Sequence, residues 1–381
     1  MRKIFKTLCV ALLAASSITA MAASATDVLT NLKSRIAPDK RTAIFDVKAA
    51  TSGSTVTVTG TVGLQEQKDA IGKELADKGF ANVKNNVKVL HNAVPEGKKW
   101  GIVTLAIASM RCEGKHAGEM ATQGIMGQPV RVLDASGDWY RVQTPDNYIS
   151  YVPSSSIACK TAAQMKAWRE AKRYILTVHS AFLVEAPQSD AVVTDLVLGS
   201  ILEYKGEEGE WLKLALPDGR FGWIKKAQVQ EFAQWAKQDL NLDLVMKTAH
   251  SMMGHGYLWG GTSSKVTDCS GLVKVSYFSN GIILARDASQ QALYGEKIKG
   301  SEWNKCKFGD LLFFGNKNGR VTHVGLYIKD GKYIHCSGRV KINSLDPKDP
   351  AYLYSPLSAS RIEGQMGTAY ITYVRNHPWY F

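Results

Sequence analysis

Polar and apolar residues alternate along this chain with two periods, and the switches between them mark its parts. Thr55-Val56-Thr57-Val58-Thr59-Gly60-Thr61-Val62 alternates with period two, as a strand buried on one face does. A helix-like run, Val28 to Ile36, and a short strand, Phe45-Asp46-Val47, precede it; an amphipathic helix over Gln65–Lys78 and a strand from Val83 to Leu90 follow. Residues 26–92 therefore predict a small α/β unit. Further on come short alternating runs separated by Gly and Asp turns, such as Val130-Arg131-Val132-Leu133 and Trp211-Leu212-Lys213-Leu214. Sliding the chain 72 positions against itself brings Thr122, Gly127, Trp139, Pro145, Asp146, Tyr151 and Val152 onto Thr194, Gly199, Trp211, Pro217, Asp218, Trp223 and Ile224. Two copies of a small β-barrel are expected, over 98–160 and 173–232, with a helix over Ala162–Lys172 between them. The first copy departs from the second at Ser150, where the second has Gly222.

From Leu240 the period becomes helical through Leu242, Val245, Met246, Ala249 and Met252. A second helix is expected near Asp268, because Leu272, Val273, Ser276 and Tyr277 share one face. Cys269 then sits at its N-terminus. Free N–H groups and the positive dipole end lower a thiol's pKa there and can also stabilise an oxyanion. A helix-start cysteine is ordinarily inert; a base within reach changes that.

Val324, Leu326 and Ile328 alternate with His323, Gly325 and Tyr327, and Ile334-His335-Cys336 follows after Asp330-Gly331, so a hairpin is expected. A two-residue loop would put His323 and His335 on opposite faces. A three-residue loop, Lys329-Asp330-Gly331 with Gly331 left-handed, pairs Leu326 with Ile334 and Gly325 with His335 and puts both histidines on one face. Apolar matching favours the second register. His323 then serves as a base for Cys269, and His335 orients it.

Composition changes the picture in two places. The chain carries 47 Lys and Arg against 34 Asp and Glu, a formal net charge of +13. Arg2, Lys3 and Lys6 precede an apolar run, Leu8 to Ala15, with small-residue sites at Ala20-Met21-Ala22 and Ala23-Ser24-Ala25, the pattern of a secretory signal over residues 1–25. No stretch suits a transmembrane span. An exported basic protein is expected to meet an anionic envelope or periplasm, and no nucleic-acid signature is present. Losing Cys9 leaves Cys112, Cys159, Cys269, Cys306 and Cys336, an odd number; Cys112 with Cys159 and Cys306 with Cys336 are the disulfides expected, with Cys269 free.

Five ordered motifs carry a resemblance. Tyr257-x-Trp259-Gly-Gly, Asp268-Cys269-Ser270-Gly271-Leu272, Arg286-Asp287-Ala288-Ser289-Gln290-Gln291, Gly309-Asp310-Leu311-Leu312-Phe313-Phe314 and His323-Val-Gly-Leu-Tyr with Ile334-His335 resemble the NlpC-type family of bacterial cell-wall cysteine peptidases. The repeats resemble bacterial SH3-like domains, and residues 26–92 resemble a BON-like module. The fold class implied is α+β and multidomain: a papain-like catalytic domain over 236–381, a helix packed on an antiparallel sheet, preceded by two SH3-like β-barrels and the small α/β unit.

By this resemblance Cys269 is the nucleophile, His323 the general base, His335 the third member, and Tyr257 lines the oxyanion site. The family hydrolyses peptidoglycan stem peptides, most often between γ-D-glutamyl and a diamino acid such as diaminopimelate. The subgroup with two SH3-like domains acts on muropeptides with a free N-terminal L-alanine, whose amine is bound by Glu119 and Tyr148, with Tyr151 the nearest rival to Tyr148. Asp268, Ser270, Ser289 and Trp259 would contact substrate, although Ser289 as a turn residue and Trp259 as a core aromatic are the plainer alternatives. No metal or cofactor is implied, and a monomer is expected. A non-catalytic wall-binding scaffold and a thiol amidase or acyltransferase are the competing readings; the intact Cys269, His323 and His335 set argues against the first.

Overall fold

Thr55–Val62 pairs antiparallel with Phe45–Ser52, from Phe45↔Val62 to Ser52↔Thr55, and its Val56, Val58 and Val62 are buried as the alternation requires. The computed structural model describes residues 23–90, 94 and 97–381. A helix, Gln65–Asp77, crosses over to short strands Asn82–Asn85 and Lys88–Val89, both parallel to Thr55–Val62, so the single strand expected to Leu90 is split in two. The expected signal lies outside the described residues up to residue 22. Ser24 caps the helix Ala25–Ile36 in a reciprocal box with Asp27, and Ala25 is buried.

The repeat is visible in the strand pairing. In each copy the seven strands, numbered within the copy, lie in the order 7-1-4-5-6-2-3. Each copy also carries a bulge on its fourth strand at the same repeat position, between Val132 and Asp134 in the first and between Tyr204 and Gly206 in the second. A helix, Ala162–Glu170, joins the copies.

In the C-terminal part the helix Cys269–Phe278 packs on a six-stranded antiparallel sheet. Its strands lie in the order Glu296–Lys299, Ser358–Arg361, Leu311–Gly315, Val321–Tyr327, Lys332–Ser337, Arg339–Ser344. Leu272, Val273 and Tyr277 on the helix are buried against Phe313, Val324, Leu326 and Ile334. At roughly 1.5–3 kcal/mol for each large apolar side chain removed from water, this layer is what holds the helix start against the sheet. The barrels are fixed to the same body: Ile102, Trp168, Ile175, Ile201, Phe232, Trp235, Ile283 and Tyr380 form one shared core, and Lys274 on the helix makes a buried ion pair of 2.6 Å with Asp146 of the first barrel.

The disulfide expectation is corrected: all five cysteines described are free thiols. Cys159 lies on the first barrel's seventh strand at one end of its sheet, whereas Cys112 is exposed just after its second strand, towards the other end. Cys336 is buried with Cys269 and Val324 on the helix side of the C-terminal sheet, and Cys306 packs with Phe314 and Tyr333 in the cluster on the opposite side.

Candidate active site

Asp268 starts the Cys269 helix. Its Oδ1 accepts the Gly271 N–H at 2.7 Å and the Ser270 hydroxyl at 3.2 Å, while Oδ2 accepts the Gly260 N–H at 3.0 Å. Arg286, itself buried, donates to both oxygens at 3.2 and 2.5 Å and to Ser270 Oγ at 2.9 Å. The glycines of both motifs have steric reasons: a Cβ on Gly271 would lie 2.0 Å from the Gly261 carbonyl oxygen, and one on Gly260 2.6 Å from that of Met120. Gly260 therefore docks the loop onto the first barrel's strand Met120–Ile125, where Arg286 Nε also donates to Thr122 Oγ1 at 3.0 Å.

Cys269 is 7% exposed. The helix start does not lower its pKa as expected. Burial and the charge of Asp268 push the thiol up to about 11, outweighing the Val324 and Ser270 N–H groups and Arg286, which pull it down. The thiol is neutral at rest and needs a base.

The hairpin has the favoured register, Gly325↔His335, Leu326↔Ile334 and Tyr327↔Tyr333. Its turn is built differently: Asp330 (φ 51°) and Gly331 (φ 75°) are both left-handed, and Lys332 N–H donates to Lys329 O and Ile328 N–H to Lys332 O, each at 2.8 Å. This is a two-residue primed turn with one extra residue on the incoming strand, which restores the register of a three-residue loop. Gly325 makes room opposite His335, since a Cβ there would lie 3.1 Å from the His335 Cβ and 2.9 Å from the Tyr333 ring.

His323 Nε2 lies 2.7 Å from His335 Nδ1, and His335 Nε2 lies 2.8 Å from Asn343 Oδ1. Asn343 Nδ2 donates to the Ala351 carbonyl at 2.7 Å, which fixes the amide orientation. Proton positions follow along the chain. Asn343 Oδ1 can only accept, so His335 carries its proton on Nε2 and accepts at Nδ1; His323 then carries its proton on Nε2, and its Nδ1 is the unprotonated nitrogen. Among the described residues no hydrogen bond joins Cys269 to His323; the thiol lies against the backbone of the next residue, Val324. Such contacts commonly tighten only when substrate binds. Burial, then the charges of His335 and Lys341, hold His323 down to about 3, and burial holds His335 down to about 4, so both rings are neutral at pH 7.

Tyr257, half-buried, has its hydroxyl pushed up by burial and by the nearby Cys269 and Asp268, and so remains a donor. Tyr148 is buried, and its hydroxyl donates to Asp287 Oδ2 at 3.0 Å. Its loop is held by the Lys274–Asp146 pair and by Thr144 N–H donating to the Tyr148 carbonyl at 2.9 Å. Tyr151 stacks instead against Arg141, 5.3 Å from the guanidinium. Glu119, exposed, precedes the strand that meets Gly260, and its charge and that of Asp287 both reach the Cys112 thiol. Trp259 is 60% exposed, so it is not a core aromatic. The hydroxyl of Ser289 accepts from Arg41 at 3.0 Å.

Sequence reasoning did not single out Asn343, Arg286, Asp287 or Arg41. Asn343 becomes visible only through the register His335↔Lys341, which places the residue two further along on the same face. Arg286 and Asp287 lie inside a quoted motif without a role. No sequence signal marks Arg41.

Residues 254–357 match the NlpC/P60 family, and residues 110–157 match the bacterial dipeptidyl-peptidase Sh3 domain. Dipeptidyl-peptidase 6 of Lysinibacillus sphaericus is 29% identical over 66% of this chain and 93% of its own length. The γ-D-glutamyl-L-lysine dipeptidyl-peptidase of Bacillus cereus is 28% identical over 65% of this chain and 76% of its own. Among solved structures, an NlpC/P60 family protein from Bacillus cereus superposes with a TM-score of 0.61 at 22% identity, over 69% of this chain and 99% of its own, a likeness of fold.

Proposed function

The chain carries an NlpC/P60 domain behind a bacterial SH3 domain, and from that premise we propose that it is a cysteine peptidase that hydrolyses the γ-D-glutamyl–diamino acid bond of peptidoglycan stem peptides with a free N-terminal L-alanine. The observation that carries this is the Ala351–Asn343–His335–His323 chain, which leaves His323 Nδ1 unprotonated on the strand whose next residue, Val324, lies against the helix-start thiol. In this reading His323 Nδ1 takes the Cys269 proton as sulfur attacks the γ-carbonyl carbon. The oxyanion is met by the Tyr257 hydroxyl and N–H groups at the helix start. His323 returns the proton to the leaving amine of the diamino acid, leaving a thioester; water, deprotonated by the same nitrogen, hydrolyses it, and L-Ala-γ-D-Glu departs as the thiol is restored.

The substrate ammonium is assigned to Glu119 and to Asp287 with Tyr148, since a cation enclosed by protein needs an anionic partner. The names of the two bacterial relatives support a dipeptide product. The third stem residue contacts Trp259, and Asp268 and Ser270 act through the helix start they hold. Residues 1–25 direct export to the periplasm or envelope, where the protein acts as a monomer on fragments; contact of the Gly260 loop and Arg286 with the first barrel supports a cleft walled at one end. The divisions 26–92, 98–160, 173–232 and 236–381 belong to this proposal.

The test compares L-Ala-γ-D-Glu-diaminopimelate with its N-acetylated form by mass spectrometry. Dipeptide release from the free peptide alone is expected; equal cleavage of both would remove the amine-binding role of Glu119, Tyr148 and Asp287.

A further inference from the structure

The segment Asp39–Thr42 of the N-terminal unit lies against both sides of the amine end of the cleft. Arg41 Nη1 donates to Asp287 Oδ2 at 2.8 Å and to Ser289 Oγ at 3.0 Å. Tyr148 donates to the same carboxylate oxygen. Arg41 is held in turn by Asp39, with Nε at 2.9 and 3.0 Å and Nη2 at 2.7 Å, and Asp39 accepts from Gln290 Nε2 at 2.8 Å. The backbone of the segment is fastened to the first barrel next to Tyr148: Ile149 N–H donates to the Arg41 carbonyl at 2.7 Å and Gln143 Nε2 to that of Thr42 at 3.1 Å.

We propose that the N-terminal unit is a working wall of the substrate cleft, with Arg41 the positioning residue that orients Asp287 and Ser289 around the peptide's amino terminus. This rests on the peptidase reading above. Stability does not account for the arrangement: the Arg41 and Asp287 side chains are 34% and 28% exposed, and ion pairs so placed are worth only about 0–1 kcal/mol. Geometry does. A carboxylate held by Tyr148 and Arg41 on one oxygen is fixed in direction, and the five donors of a guanidinium allow Asp39, Asp287 and Ser289 to be bonded together. Asp39, Asp287 and Glu119 bring three carboxylates to the rim, against Arg41, which is shared by Asp39 and Asp287, and Arg286, which is paired with Asp268.

The experiment uses the full chain as wild type, Arg41→Ala and Arg41→Lys, with free and N-acetylated L-Ala-γ-D-Glu-diaminopimelate. Wild-type cleavage of the free peptide is the control for the reading itself; without it, that reading fails and the proposal with it. Given cleavage, Arg41→Ala should raise KM at least tenfold with kcat changed less than threefold, and lower the preference for the free amine at least tenfold. Arg41→Lys should recover only part of this, because an ammonium does not span three partners. The rate of Cys269 alkylation and the Tm should stay close to wild type, which separates positioning from misfolding. Unchanged KM and unchanged preference in Arg41→Ala would overturn the proposal, as would a loss confined to kcat.

Discussion

In the proposed mechanism the base for Cys269 is His323, whose free nitrogen is selected three hydrogen bonds away, by the carbonyl of Ala351. Asn343→Leu removes the acceptor that fixes the His335 tautomer; kcat should fall roughly 10–100-fold, less than the ~10²–10⁴-fold associated with losing a general base, and KM should change little. The buried rings set the pH response. With His323 held at about 3 and His335 at about 4, the acid limb of kcat/KM should lie well below the ordinary imidazole value near 6.5, while the alkaline limb should follow the substrate α-amine near 8. An acid limb at 6.5 or above in initial-rate measurements would contradict the burial of the pair. Stability carries the same sign. Both histidines have folded pKa values below the unfolded one, so the unfolded chain takes up protons first; their contribution is present above pH ~6.5 and is lost as pH falls towards 4, by up to about 1.4 kcal/mol per unit for each ring. Urea titrations between pH 7 and pH 4 measure that slope. The helix-start place of Cys269 and the shared face of the two histidines were legible because residue type and alternation suffice for them. Asn343 was not, since its place depends on a second strand register that no motif announces.

At the level of elements, pattern reasoning succeeded where the partner was local. The histidine register followed from apolar matching, although the turn reaches it through a bulge, and the 72-residue repeat reappears as one strand order used twice. It failed for the cysteines, because a count carries parity but no direction. Cys306 and Cys336 lie in clusters on opposite sides of one sheet, and sequence spacing is blind to that. Five thiols are therefore expected after denaturation with no reductant added, and alkylation of the native protein should label Cys112 readily, Cys269 more slowly, and Cys306 and Cys336 not at all before unfolding. Peptide mapping that found a disulfide would contradict the structure. The helix-start argument also failed in sign: dipole and N–H groups do act on Cys269, but burial beside Asp268 is the larger effect.

Across the whole molecule, the proposed site lies where parts meet. Arg286 joins Asp268 of the Cys269 helix to Thr122 of the first barrel, Lys274 joins that helix to Asp146, and Tyr148 reaches Asp287 across the same seam. The net charge of +13 has no part in this, since the groups assigned to the substrate amine are carboxylates. The repeated strand pattern was visible in the periodicity, but the assembly of the parts was not, because the polar contacts between them come from single residues far apart in the chain. The most direct test of the central claim is dipeptide release from L-Ala-γ-D-Glu-diaminopimelate by wild type and by Cys269→Ala. Wild type should release L-Ala-γ-D-Glu and Cys269→Ala none above background. Equal release by both, or none by a folded wild type, would contradict the assignment of Cys269 as the nucleophile of a γ-D-glutamyl peptidase.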